Sequence, residues 1–593
     1  MNHKRETPIT LFSKEAAACT PLTYLVFILF LGFLLAFYLL LSLRMPVLSV
    51  FSLINLFTAC FIFLASAWIA VSWKLKKWGP EALKISAIVL SPLLLLGVII
   101  PYFYLSASSV NLSPCAILGL ILLCQFRYFL ILQENHSTDP RKKVTLEWVL
   151  ITLLALFYTF VLSHITISQY HNWGHFNPSD LALYNQILWN NLHGYFFENS
   201  TSGSNFVTHN SPFWLLLTPL YAILPAPETL LFLKTLFLAL SIIPFYLIAR
   251  DILNKQSALV LTCGFMLFPF LIAQNFSAPH EVCFLPPFLL FSFYFFTKNR
   301  FGWFLLFLLL CLSIKEHLSL LAIAYGFYAA LKGKERKWVF LPILVGVAWG
   351  IFSLWVIGHY QQIYVTDPHP AWFIENLKMR FLDAGLLEGL KTSNLGSLHQ
   401  FLFTYQLISP LAILFPFFSS LFFLALPELT INLLSDRLIF FPIWHYNILV
   451  SCFLFLGTLE AIRKISAFKI FERISVSTVI REKLLSWLVF FCVLSHYFLW
   501  IDLTVVREKG KYKKAVEEAV ALLPKKASVS ASGQIAPFVS SRKEYFLISD
   551  RRTGEYILIN DEDLNLADGK IKSGYLKIFD KRGIKLFRKI NAQ

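Results

Sequence analysis

Charge is what this chain has least of. Only 14% of its 593 residues are Asp, Glu, Lys or Arg, against roughly 25% in an ordinary soluble domain. That excludes a water-soluble enzyme. Its nine cysteines contain no C-x-x-C pair and sit almost all in apolar stretches, so neither a zinc framework nor a disulfide scaffold is expected. Low-complexity segments and internal repeats are absent too, which removes solenoid and array architectures.

A further absence is positional. No Lys or Arg occurs from 144 to 233, although that stretch includes the polar loop 169–211. Cytoplasmic loops carry an excess of Lys and Arg, so this loop is expected to face outward. The net charge of +17 resides instead in short clusters at 74–77, 141–143, 250–255, 298–300, 332–337 and 463–483. Placed between apolar runs, these clusters suit lipid head groups better than nucleic acid, and no nucleic-acid partner is expected.

What is present is apolar: 57% of residues are hydrophobic. Apolar runs cover 22–43, 48–73, 83–103, 113–133, 144–168, 212–224, 228–249, 257–274, 282–297, 302–331, 338–358, 401–426, 444–462 and 485–503. Most are long enough to cross a hydrocarbon core about 30 Å thick. The first, preceded by Lys4, Arg5 and Lys14, is too long for a signal-peptide core and is expected to be a retained span. Parity of the basic loops fails unless some runs dip in without crossing. The candidates are 212–224, bounded by Pro212 and Pro225, then 302–331, interrupted by Lys315-Glu316-His317, and 401–426, with Pro410 and Pro416. About eleven to thirteen spans result.

Composition changes at Val506. A helical spacing over 511–523, stopped by Pro524, precedes strand-like segments at 527–530, 544–548 and 555–559 and a hairpin of 575–579 with 584–588. The fold class is therefore mainly α: a polytopic helical membrane protein with a small C-terminal α/β soluble domain. Its expected divisions are a four-run N-terminal module (1–140), a transmembrane module (141–505) and a soluble domain (506–593) that shares the outer side with loop 169–211.

Loop 169–211 carries a helix grammar, with Asn177 as N-cap, Pro178 in first position, Asp180 in the first turn and Gly194 at the end. Leu181, Tyr184, Leu188, Leu192 and Tyr195 share one face, which predicts an amphipathic helix on the outer membrane surface. In a water-poor cleft Asp180 can take a proton from an attacking hydroxyl; a first-turn Asp also complements the helix dipole. His171, His175 and His209 share the loop and offer a divalent-metal site, though without a fixed ligand spacing. Ionisable groups at membrane depth point to a site as well: His280-Glu281, Lys315-Glu316-His317, and a cluster of Glu428, Asp436, Arg437, His445 and Tyr446. Internal ion pairs that fix helix packing are the other reading of these groups.

From Asp180 onward the chain resembles a family of prokaryotic membrane proteins catalogued as domain of unknown function 2079, grouped with the GT-C glycosyltransferase-like superfamily. The match is carried by Ser179-Asp180-Leu181-Ala182-Leu183-Tyr184-Asn185-Gln186-Ile187-Leu188-Trp189, then Gly194, His209 and Pro212, Pro219-Leu220-Tyr221, and 244–250. It continues through His280, Lys315-Glu316, Leu426-Pro427-Glu428, His445-Tyr446 and Leu523-Pro524. Two positions depart from the family pattern, which has acidic residues where this chain has Ala278-Pro279 and His317. The resemblance does not reach residues 1–140.

That resemblance implies a membrane-lipid partner: a polyprenyl-phosphate sugar donor in a prokaryotic cytoplasmic membrane, used from the outer side. It implies inverting transfer to an envelope acceptor with Asp180 as general base. His280, Lys315 or Arg437 would neutralise the departing phosphate, and His209, Glu281, Glu316, His445 and Tyr446 would contribute to the substrate site. No resident cofactor beyond a divalent metal is expected. A transporter or flippase using the same intramembrane charges, or an inactive scaffold, are the alternatives; the outer helix and soluble domain favour transfer, because a transporter needs neither.

Overall fold

The computed structural model describes residues 140–590, apart from 173–176, 366–403, 405, 413–414, 435–444, 469–476, 501–509 and 573. The module 1–140 and the candidates His175, Asp436 and Arg437 lie outside the described residues. The chain forms two compact units. One comprises Met1–Pro140, Arg250–Gly264 and Leu459–Thr504; the other comprises Arg141–Ala249, Phe265–Thr458 and Val505–Gln593 and holds every described candidate residue.

Helices dominate, because long apolar runs in lipid must satisfy every backbone group internally. In chain order they are α1 (Pro140–His171), α2 (Pro178–Leu192), α3 (Phe213–Tyr221), α4 (Pro227–Leu240), α5 (Ile242–Ile252), α6 (Lys255–Leu267) and α7 (Pro269–Ile272). There follow α8 (Leu285–Thr297), α9 (Phe301–Leu312), α10 (Ser319–Leu331), α11 (Arg336–Tyr364), α12 (Phe422–Leu434), α13 (Ile448–Ser466) and α14 (Thr478–Trp500). The last three are α15 (Gly510–Ala521), α16 (Ala536–Val539) and α17 (Leu564–Lys572). Among the described residues three helices are long and apolar enough to cross a membrane: Glu147–His171, Pro227–Ile252 and Arg336–Tyr364. A fourth results if Lys255–Leu267 and Pro269–Phe276, bent by 49°, form one span. The bend falls at Phe268, whose extended backbone (ψ 123°) is what a following proline imposes.

Several expected runs are broken. Segment 212–224 yields only the nine-residue α3, with Pro219 inside it. Run 302–331 divides into α9 and α10 with an interruption at 313–318. Its two ends meet: Lys334 Nζ donates to Phe296 O at 2.9 Å and lies 4.4 Å from the Phe296 ring centroid and 4.6 Å from that of Trp338. The basic loops 298–300 and 332–337 are therefore neighbours, so this run turns back, as charge parity required. Close approach of α10 and α11 depends on glycine, since a Cβ on Gly326 would stand 2.5 Å from Val339 O. Aromatic rings fill the interior at edge-to-face angles, as where Phe213, Phe237 and Phe284 converge.

The C-terminal residues build a five-stranded mixed sheet in the order β4-β3-β5-β7-β6. The strands are β3 (Val529–Ala531), β4 (Tyr545–Leu547), β5 (Tyr556–Asn560), β6 (Tyr575–Lys581) and β7 (Ile584–Lys589), after a small outer ribbon of β1 (Glu198–Asn199) and β2 (Gly203–Ser204). Strand β3 runs parallel to both neighbours, while β5, β7 and β6 alternate. The β6–β7 turn places Arg582 (φ 50°) and Gly583 (φ 80°) in the left-handed region, the two-residue turn whose twist matches the strands. Ala182, from α2, is buried in this domain's own core with Val516, Val529, Ala531, Leu558 and Leu586. The C-terminal domain and α2 thus share one core.

Candidate functional site

Helix α2 presents the site. Asp180 lies in its first turn, as the sequence predicts, and Gly194 (φ 83°) follows its end. Asn177 does not cap it: that residue is left-handed (φ 53°) and its side chain makes no capping hydrogen bond. Nor does the helix lie on a membrane surface. Its apolar Leu181, Tyr184 and Leu188 are buried, but so are Asn185, Gln186, Asn190 and Asn191. Amphipathic spacing finds a two-sided environment here, because the polar side faces protein rather than water.

What covers that polar side is the C-terminal domain. Asn185 Nδ2 donates to Ser540 Oγ at 2.8 Å and Ser541 Oγ at 3.1 Å, while Tyr221 donates to Asn185 Oδ1 at 2.6 Å. Gln186 Nε2 donates to Lys543 O at 2.7 Å, and its Oε1 accepts from Ser200 N at 2.9 Å. Ser200 Oγ in turn accepts Tyr545 N at 3.1 Å, and Tyr170 stacks on Phe538. Arg542, which gives its carbonyl to Gln186, has its guanidinium pushed down to about 10 by burial and bonds to Val539 O and Ala527 O. It therefore stays charged at neutral pH.

Asp180 faces a segment that has lost its helix. After Phe276 the chain is extended to His280, and a 3-10 turn, Glu281–Phe284, follows. His280 Nε2 lies 3.3 Å from Asp180 Oδ2, and His280 Nδ1 lies 2.9 Å from the Tyr184 hydroxyl. Both ring nitrogens of His280 are thus engaged, Nε2 beside the carboxylate and Nδ1 against the Tyr184 hydroxyl. The His445 ring stacks on His280 with centroids 3.7 Å apart, and Tyr446 packs against His445. Asp180 Oδ1 has no hydrogen bond among the described residues, and the carboxyl is 36% exposed. It is the oxygen available to a substrate.

Three more acid–base pairs adjoin. Glu281, buried, holds Lys315 at 2.7 Å. Glu316 accepts from His209 at 3.0 Å and from Asn210 N at 3.2 Å; Glu428 pairs with His317 at 3.1 Å. The break between α9 and α10 is what supplies Lys315, Glu316 and His317, and it is tied to the outer segment by Phe213 N donating to Ser313 O at 2.9 Å. Each of these four acids thus faces a base from a different segment, an arrangement suited to charge buried at membrane depth. His280 and Lys315, which the resemblance offers for neutralising a phosphate, each stand beside a carboxylate, Asp180 and Glu281.

Of the loop histidines that are described, His171 pairs with Glu228 at 3.4 Å and His209 with Glu316. Among the described residues no group of three His, Cys, Asp or Glu side chains is placed to hold a metal ion. Tyr184, Asn185 and Gln186 were legible only as helix-face residues; the signal that Tyr184 stands one turn after Asp180, on the same face, was available in the spacing. His317 takes the position where the family pattern has an acid, and it meets Glu428 instead.

The family model described as "Predicted membrane protein (DUF2079)" matches residues 174–574, and the chain belongs to that family. No curated protein matches it. Among solved structures, ArnT from Cupriavidus metallidurans bound to undecaprenyl phosphate is similar at 11% identity, covering 75% of this chain and 98% of that one with a TM-score of 0.45. The Archaeoglobus fulgidus oligosaccharyltransferase in its apo form is similar at 11% identity, covering 69% of this chain and 70% of that one with a TM-score of 0.39.

Proposed function

We propose that this DUF2079 protein transfers a sugar from a polyprenyl-phosphate donor to an envelope acceptor at the outer face of a prokaryotic cytoplasmic membrane, with Asp180 as general base. The observation that carries the reading is the Asp180 carboxylate itself. One oxygen stands 3.3 Å from His280, the other has no hydrogen bond among the described residues, and the helix that bears it is clamped between apolar helices and the C-terminal domain.

The chemistry follows from that geometry. An acceptor hydroxyl attacks the anomeric carbon as the bond from that carbon to the phosphate oxygen breaks, and the hydroxyl proton passes to Asp180 Oδ1. A single displacement inverts the anomeric centre, and the lipid phosphate departs with the bonding pair. His280, bonded through Nδ1 to Tyr184, keeps the carboxylate aimed rather than neutralising the phosphate. Phosphate neutralisation is the remaining role for Arg437.

The test is mass spectrometry of envelope glycans and glycolipids in a deletion strain. Loss of one sugar, restored by the native gene and not by Asp180→Asn at equal membrane abundance, supports transfer. Accumulation of an unflipped lipid-linked precursor with no missing sugar overturns it in favour of transport.

A further inference from the structure

Lys234 belongs to none of the four acid–base pairs. It lies within the apolar rod Pro227–Ile252, its side chain has no exposed surface, and no carboxylate pairs with it among the described residues. A fully buried ammonium is costly unless its charge and donors are met. Here they are met by backbone. Nζ donates to Asn275 O at 3.0 Å and to Ser277 O at 2.5 Å.

Those carbonyls are free for a reason. The bent segment Pro269–Phe276 ends there, and the last carbonyls of a helix have no partner within it. Aligned peptide dipoles make that terminus partly negative, a favourable place for a cation. Other side chains gather at the same point: Thr166 Oγ1 donates to Asn275 O at 2.6 Å, and Asn275 Nδ2 donates to the Tyr158 hydroxyl at 2.8 Å. The whole cluster is buried. Immediately downstream the extended stretch delivers His280 to Asp180 and Glu281 to Lys315.

We infer that Lys234 is a positioning residue for the site: its ammonium pins the end of the broken helix and so fixes where His280 and Glu281 stand. It touches neither substrate nor Asp180. Its role depends on the reading of Asp180 and His280 as the reacting site only where catalysis is concerned; the pinning itself is a statement about residues 275–284.

The experiment therefore has two readouts on the full-length protein in detergent. Lys234→Met keeps the chain length and apolar stem but cannot donate, and Lys234→Arg keeps the charge. Amide hydrogen exchange should rise at least tenfold in peptides covering 275–284 of the Met variant and stay unchanged in the sheet residues 529–560, with Arg restoring most of the protection. Sugar transfer should fall about a hundredfold, as a shift of roughly 1 Å at a reacting geometry can cause, with kcat affected rather than KM. Combined with His280→Ala, Lys234→Met should cost much less than it does alone, because one of the two pinned groups is already gone. Unchanged exchange at 275–284 overturns the inference, as does additive loss in the double variant. A rise in exchange with no transferase activity in the native protein leaves the pin standing and removes only the catalytic reading.

Discussion

His280 approaches Asp180 from an unwound stretch between two apolar helices, and its Nε2 stops 3.3 Å from the carboxylate. Because Tyr184 holds the other ring nitrogen, the imidazole cannot swing away from Asp180 without losing that bond. The ring is a brace, and a brace has a graded effect. His280→Gln should keep the protein inserted and lower turnover by about a hundredfold, whereas Asp180→Asn should lower it by up to about ten-thousandfold. Turnover of a lipid-phosphate sugar by purified variants checks the order; an Asp180→Asn variant with near-normal rate would end the general-base assignment.

Lys315 and Glu281 form a buried pair in which each group depends on the other. Lys315→Met should leave the Glu281 carboxylate uncompensated and destabilise the protein by about 3–5 kcal/mol. Adding Glu281→Gln should recover most of that loss, since a neutral amide no longer needs a cation. Thermal unfolding in detergent of the two single variants and the double variant decides it, and an additive double variant would refute the pairing.

The clamp between α2 and the soluble domain is open to the same approach. Asn185→Ala removes donors to Ser540 and Ser541 and the amide oxygen that accepts from the Tyr221 hydroxyl. A loss of about 1–3 kcal/mol is expected for the buried group left unsatisfied. Limited proteolysis within the C-terminal domain, residues 510–590, should become faster in this variant, while Glu562→Ala on the exposed turn before α17 should behave as the native protein does.

Loop 169–211 and the C-terminal domain share a core through Ala182, so they must face one side of the membrane. Single cysteines at the exposed positions Thr201 and Glu562 should both react with a membrane-impermeant reagent in intact cells. A cysteine at Lys337, in a basic loop, should react only after permeabilisation. Labelling of 201 without 562 would be incompatible with the shared core.

Much of this was written in one dimension. Scarce charge and long apolar runs require a helical membrane body, because backbone in lipid must bond to itself. The basic clusters fix which loops are neighbours, and the contact of Lys334 with Phe296 and Trp338 obeys them. Proline and the Lys315-Glu316-His317 interruption mark where runs break. Turn and strand signals place the hairpin turn within 580–583, which the structure narrows to Arg582-Gly583, while the short helices α16 and α17 escaped notice because four to nine residues carry too little periodicity to register. The domain's attachment to α2 was also invisible, since Asn185 and Gln186 look alike whether they face water or Ser540 and Lys543.

Pairing was decided only in three dimensions. The sequence put Lys315 beside Glu316 and His280 beside Glu281, but neighbours in an extended or 3-10 stretch point in different directions, so each reached for a partner on another segment. Lys315 found Glu281, Glu316 found His209, His317 found Glu428 and His280 found Asp180. Lys234, one cation in an apolar run, gave no sign that its partners would be carbonyls at the end of a bent helix. Local chemistry determines that a buried charge must be compensated; which group compensates it depends on where broken helices bring their ends together, and that is a property of the folded chain alone.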